Sequence, residues 1–211
     1  MKKTARLLMC AALLLSVTGC GAKETAADTV NAFWSALENG DVETAKNYVS
    51  DQAYQEIETL NAAADSLIAM TESYDLPEDT VKVINEFSAN VIRVTYKSHN
   101  VISSKEISKD EYEVTASIQV ADPVSLTSAL SEIDYQAELG NYQDEIVNAV
   151  TEEGIQQAYG KVFLLIFSYL NEHVEEISEK LSYTDNEVVM KVIRNESGKW
   201  LITDINGQGK N

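Results

Sequence analysis

From residue 24 onward the apolar positions recur at helical intervals, switch to strict alternation, return to helical intervals and alternate again before the chain ends. Ala27, Val30, Phe33, Trp34 and Leu37 share one face of a helix over 24–38. Asn39-Gly40 is placed to stop it, since both residues tolerate the left-handed conformation of a C-terminal cap. Asp41 then serves as N-cap of a second helix, with Val42, Ala45, Tyr48 and Val49 on its inner side. Tyr54, Ile57, Leu60, Ala64, Leu67 and Ile68 carry the helical period through 52–73. Asp75-Leu76-Pro77 breaks the run. Pro77 suits the first turn of a further helix, where Glu78 and Asp79 favour the positive end of the dipole and Val81, Ile84 and Phe87 form the apolar side.

The period then falls from 3.6 to 2. Ile92, Val94 and Tyr96 alternate with Arg93, Thr95 and Lys97, which predicts a strand over 91–97 continued by Val101 to Ile107. Tyr112, Val114, Ala116, Ile118 and Val120 predict a second strand over 111–121, joined to the first by a turn at Ser108-Lys109-Asp110. Asp122-Pro123 ends it, and 124–138 reads as helix. A long helical pattern fills 141–181, with a kink or break expected near Gly154 and Gly160, each costing about 1 kcal/mol relative to Ala in a helix. Within it Val162–Leu170 (VFLLIFSYL) is apolar all round but too short to span a bilayer, so it reads as a central buried turn. Val188, Met190 and Val192, then Trp200 and Ile202, alternate on either side of Asn195-Glu196-Ser197-Gly198, which predicts a closing hairpin. The order predicts an α+β domain. N-terminal helices and a long C-terminal helical insertion pack on one face of a curved antiparallel sheet of about four strands.

The first twenty residues follow a different logic. Lys2, Lys3 and Arg6 precede an apolar run from Leu7 to Val17, and the small residues Thr18 and Gly19 follow. That is the layout of a secretory signal, and the run is shorter than the roughly 20 residues a membrane span needs. Val17-Thr18-Gly19-Cys20 resembles the bacterial lipobox. The resemblance implies cleavage between Gly19 and Cys20 and a diacylglycerol on the Cys20 thiol; an ordinary signal peptide that carries a cysteine is the alternative. The chain then divides into a signal peptide over 1–19, a lipidated cysteine with a short tether over 20–23, and one domain over 24–211. Cys10 is discarded and Cys20 is a thioether, so no disulfide forms. Two acyl chains hold firmly, at about 0.8 kcal/mol per buried CH₂.

A second resemblance covers residues 27–53, ADTVNAFWSALENGDVETAKNYVSDQA, and 198–205, GKWLITDI. An aromatic pair in the first helix, an Asn-Gly-Asp turn and a short second helix look like the opening of the NTF2-like, cone-shaped α+β lipoproteins. The closing segment resembles that family's last strand. The resemblance implies a fold and a setting and carries no specific activity. The added helical content at 52–73 and 124–181 departs from the small form of the fold.

Charge narrows the partners. The chain holds 34 acidic and 16 basic residues, a net −18, and losing the three basic residues of the signal takes this to −21. Such a surface repels nucleic acid and anionic lipid, so no nucleic-acid partner is expected. His99 lies in a polar strand end; His173 shares a helix face with Glu176, next to Glu172, but two groups from one helix are no metal site. No nucleophile elbow, phosphate loop or Cys-His pair is present, so neither cofactor nor metal is expected. The aromatic residues Trp34, Tyr48, Tyr96, Tyr112 and Phe163 are the candidate lining of a cavity, against the plainer reading that they are core. Three functions follow: an anchored, non-catalytic module that binds an envelope protein or a small ligand; an enzyme using an Asp/Tyr acid–base pair in a cone; and a small solute-binding lipoprotein.

Overall fold

The computed structural model describes residues 24–60, 76–152 and 154–208. The expected signal and cleavage site, with Gly19 and Cys20, and the helical positions Ala64, Leu67 and Ile68, lie outside the described residues.

Thr25 begins helix α1 (Ala26–Glu38) with a capping box: its hydroxyl accepts from the Asp28 amide while the Asp28 carboxylate accepts from the Thr25 amide at 2.9 Å. The helix ends at Asn39-Gly40, but only Gly40 enters the left-handed region, at φ 71°; Asn39 stays at φ −96°. Asp41 caps α2 (Val42–Lys46) through the Thr44 amide. Tyr48 and Val49 fall past its end. There the Ile202 amide donates to the Tyr48 carbonyl and the Ser50 amide to the Ile202 carbonyl, both at 2.8 Å, so this segment lies along the sheet edge before α3 (Asp51–Leu60).

Pro77 is the N-cap of α4 (Glu78–Thr95), which corrects the expected strand start. Residues 91–95 are the last turns of this helix, and the strand begins at Tyr96. Ile92 and Val94 are buried as the alternation predicted, but from a helix. Nothing between Ser88 and Asn90 stops the helix, and Ile84, Phe87, Val91 and Ile92 keep its stripe intact. The Thr95 hydroxyl donates back to the Val91 carbonyl at 2.7 Å.

Strands β1 (Tyr96–Ser108), β2 (Glu111–Ala121), β3 (Tyr183–Arg194) and β4 (Trp200–Gln208) form an antiparallel meander in the order β1-β2-β3-β4. Both hairpins match the expected turns. β1 carries three register shifts, which bend and twist the sheet.

The chain between β2 and β3 is divided further than its period suggests. The expected helix over 124–138 is two, α5 (Pro123–Ser131) and α6 (Tyr135–Asn141), because Asp134 starts a new cap on the Ala137 amide. The expected run over 141–181 is three: α7 (Gln143–Glu152), α8 (Ile155–Glu172) and α9 (Val174–Glu179). Gly154, at φ 96°, makes the first break. Gly160 makes none; it lies inside α8, where Pro77 packs so close that an added Cβ would meet its ring carbon at 2.7 Å. The stretch Val162–Leu170 is not a buried turn either. Phe167 is buried and its neighbours are half-buried, because α8 is covered from the α4 and α7 sides rather than all round.

The main core lies between α1 and the sheet. Val30, Phe33, Trp34 and Leu37 meet Val114, Ala116, Met190, Val192 and Ile202. A large apolar side chain moved fully from water into such a core contributes about 1.5–3 kcal/mol. Two smaller clusters sit where α4, α5, α8 and α9 meet.

Candidate functional site

α1 runs lengthwise along the covered face of the sheet, and both its ends are tied down. At its start the Trp200 indole N–H donates to the Glu24 carbonyl at 2.9 Å. At its last residue the Glu38 carboxylate meets His99 Nδ1 at 2.6 Å. His99 stands opposite Ile118 in the ladder and therefore shares the face that α1 covers. Between these ends the face is closed by packed side chains, with Val114, Ala116, Met190, Val192 and Ile202 at 0 % exposure.

The five aromatic candidates do not form one lining. Trp34 and Tyr96 are buried side by side, with ring centres 5.7 Å apart, and Phe33 stands edge-on to Trp34 at 4.9 Å. The Trp34 indole N–H is buried and has no hydrogen-bond partner among the described residues. Burial pushes the Tyr96 phenol up to about 12. Tyr112 stands edge-on to Trp200 at 5.3 Å and donates to Glu106 at 3.2 Å; desolvation and then that bond raise its pKa. Tyr48 borders the same core from the β4 edge. Phe163 does not join them. It packs on Phe167 at 6.4 Å, in the separate cluster of Leu76, Ile84 and Phe87.

The covered face opens at the start of α1. A groove of about 390 Å³ lies there, lined by Glu24, Thr25, Ser104, Tyr112, Arg194 and Trp200 among others. Arg194 stands opposite Trp200 in the β3–β4 ladder. Its Nε donates to the Gly198 carbonyl at 2.9 Å, and its guanidinium lies 5.7 Å from the centre of the Trp200 ring. Among the described residues no carboxylate pairs with it, whereas Arg93 holds Glu175 at 3.0 Å and Lys46 holds Glu43 at 2.9 Å.

The histidines separate. His173 ends α8, where its Nδ1–H donates to the Tyr169 carbonyl at 2.8 Å and its ring lies 4.1 Å from that of Tyr169. Glu176 turns instead to Lys180 at 2.9 Å, and that bond holds its pKa below the usual range. Among the described residues no three His, Cys, Asp or Glu side chains are grouped to hold a metal ion. The shifts among described carboxylates, at Asp41 through its bonds to Thr44 and at Glu176, run downward.

Sequence reasoning missed two contacts. Glu38 and His99 are far apart in the chain, and nothing local couples them. Arg194 and Trp200 flank a hairpin turn, so pairing the two arms of that turn would have placed them opposite each other.

The fold is therefore α+β, with helices packed against a four-stranded antiparallel sheet. No protein-family model, curated protein or solved structure matches the chain.

Proposed function

We propose that this chain is an extracytoplasmic lipoprotein, held in the cell membrane through Cys20, whose NTF2-like domain is a non-catalytic binding or protein-interaction module. The observation that carries this reading is the junction after Val17-Thr18-Gly19-Cys20. Thr25 opens a capped helix, and the Glu24 carbonyl is already bonded to Trp200 of the last strand. A packed body starting so soon after the cysteine suits a mature N-terminus at Cys20. No described helix is long and apolar enough to cross a membrane.

The binding reading is preferred to an enzyme because the middle of the covered face is filled by packed side chains. It is preferred to a two-lobed solute receptor because the sheet is a single meander. The partner is an envelope protein or a small ligand reached from the open end of that face. Fractionation of cells carrying Cys20→Ala tests the anchor: the variant is expected in the soluble fraction, and retention in the membrane would end the reading.

A further inference from the structure

We propose that the groove at the start of α1 faces the bilayer and takes the phosphodiester of a phospholipid headgroup between Arg194, Trp200 and Tyr112. The proposal rests on the lipid-anchor reading and names the first contact of that anchored domain.

Position is the first argument. Glu24 and Thr25 form part of the groove wall. Only Gly21, Ala22 and Lys23 separate Glu24 from Cys20, and a tether of that length reaches roughly 10–15 Å when extended. Glu24, on the groove wall, is therefore held within that reach of the acylated Cys20.

Chemistry is the second. The Arg194 guanidinium is already held by the Gly198 carbonyl through Nε and lies 5.7 Å from the centre of the Trp200 ring. Among the described residues nothing takes the donors of its two Nη groups, and that fork matches two phosphate oxygens. Trp200 and Tyr112 are the residue types that sit at the level of lipid headgroups, with an apolar body and a polar tip. The Trp200 N–H is committed to Glu24 and the Tyr112 hydroxyl to Glu106, so both rings are held in place before any lipid arrives.

Charge is the third. A chain with a net −18 is repelled by an anionic surface as a whole, so any contact with lipid has to be local. Arg194 is a cation without a carboxylate partner among the described residues, and it lines the groove that Glu24 and Thr25 also line. A phosphodiester in a net-neutral lipid supplies the anion without the repulsion.

The test uses the purified lipidated chain in phosphatidylcholine vesicles whose acyl chains carry bromine near the headgroup. Trp34 and Trp200 are the only tryptophans, so Trp34→Phe leaves Trp200 as the reporter. Trp200 emission is expected to be quenched relative to unbrominated vesicles. Arg194→Gln is expected to lose most of that quenching, and Arg194→Lys, which keeps the charge without the fork, part of it. Anchored protein whose Trp200 emission is equal in both vesicles overturns the proposal, as does undiminished quenching in folded Arg194→Gln. If Arg194→Gln does not fold by circular dichroism, the Trp34→Phe comparison decides alone. Soluble glycerol phosphate is added to the Cys20→Ala chain without vesicles. A Trp200 response there, with no quenching in vesicles, would make this a site for free phosphate esters and overturn the lipid assignment. Loss of the anchor itself would show separately, as wild type and Cys20→Ala fractionating alike.

Discussion

Gly40 is the residue where one missing methyl decides how two helices meet. Its φ of 71° is open to glycine, and a Cβ there would lie 2.3 Å from the Ala89 carbonyl oxygen of α4. Strain and clash act together in Gly40→Ala, which is expected to lose about 2 kcal/mol or more in denaturant unfolding. Tyr96 makes a different demand. Its phenol ionises at 10.0 when exposed and at about 12 in the folded protein, so the folded state holds the proton more tightly. The resulting stabilisation is complete below pH 10 and is lost as pH rises through about 12, a fall on the order of 2–3 kcal/mol. Unfolding measured across that window should show the slope in wild type, and Tyr96→Phe should flatten it.

At the scale of elements, the contact between α4 and α8 organises the helical block. The Thr80 hydroxyl donates to the Gly160 carbonyl at 3.2 Å. Asn171 accepts from Asn90 at 3.0 Å and donates to the Val83 carbonyl at 3.1 Å. Gly160 lets Pro77 sit directly on α8. In an open helix, replacing Gly with Ala gains up to about 1 kcal/mol. At Gly160 the sign reverses, since the added methyl meets the rigid Pro77 ring at 2.7 Å, and Gly160→Ala is expected to cost about 1–3 kcal/mol. Gly140 in α6 is the control: nothing lies within 4 Å of its would-be Cβ, so Gly140→Ala should be neutral or slightly stabilising. Thermal melts of the two variants, moving in opposite directions, would check the argument.

For the whole molecule, a strongly acidic body is joined to a short N-terminal segment whose chemistry is opposite to its own. On the proposed lipoprotein reading the body without its signal carries a net −21 and gains nothing from an anionic surface, so its hold on a membrane comes from the acyl chains on Cys20. On that reading Cys20→Ala removes both acyl chains at once, and the expected outcome is redistribution to the soluble fraction without a change in melting temperature. The surface ion pairs, such as Lys82 with Glu86 at 3.8 Å, contribute little to that stability, about 0–1 kcal/mol each. The α1-to-sheet core and the α4–α8 block carry it.

The sequence by itself determined the α+β order, β2 to the residue, the cap at Asp41 and both hairpins. These follow from rules acting within a few residues, where a period or a cap reports which way a side chain faces. Partners across the fold are another matter. Ile92 and Val94 are inward-facing in a strand or at a helix end, and only the unbroken stripe from Ile84 settled which. Phe163 resembled the other aromatics in type, yet packing placed it in a different cluster. His99 met Glu38, and Arg194 was left without a carboxylate among the described residues, because the bent sheet and the length of α1 set which ends come together. Periodicity tells which face is buried; the three-dimensional packing of those faces decides what each one meets.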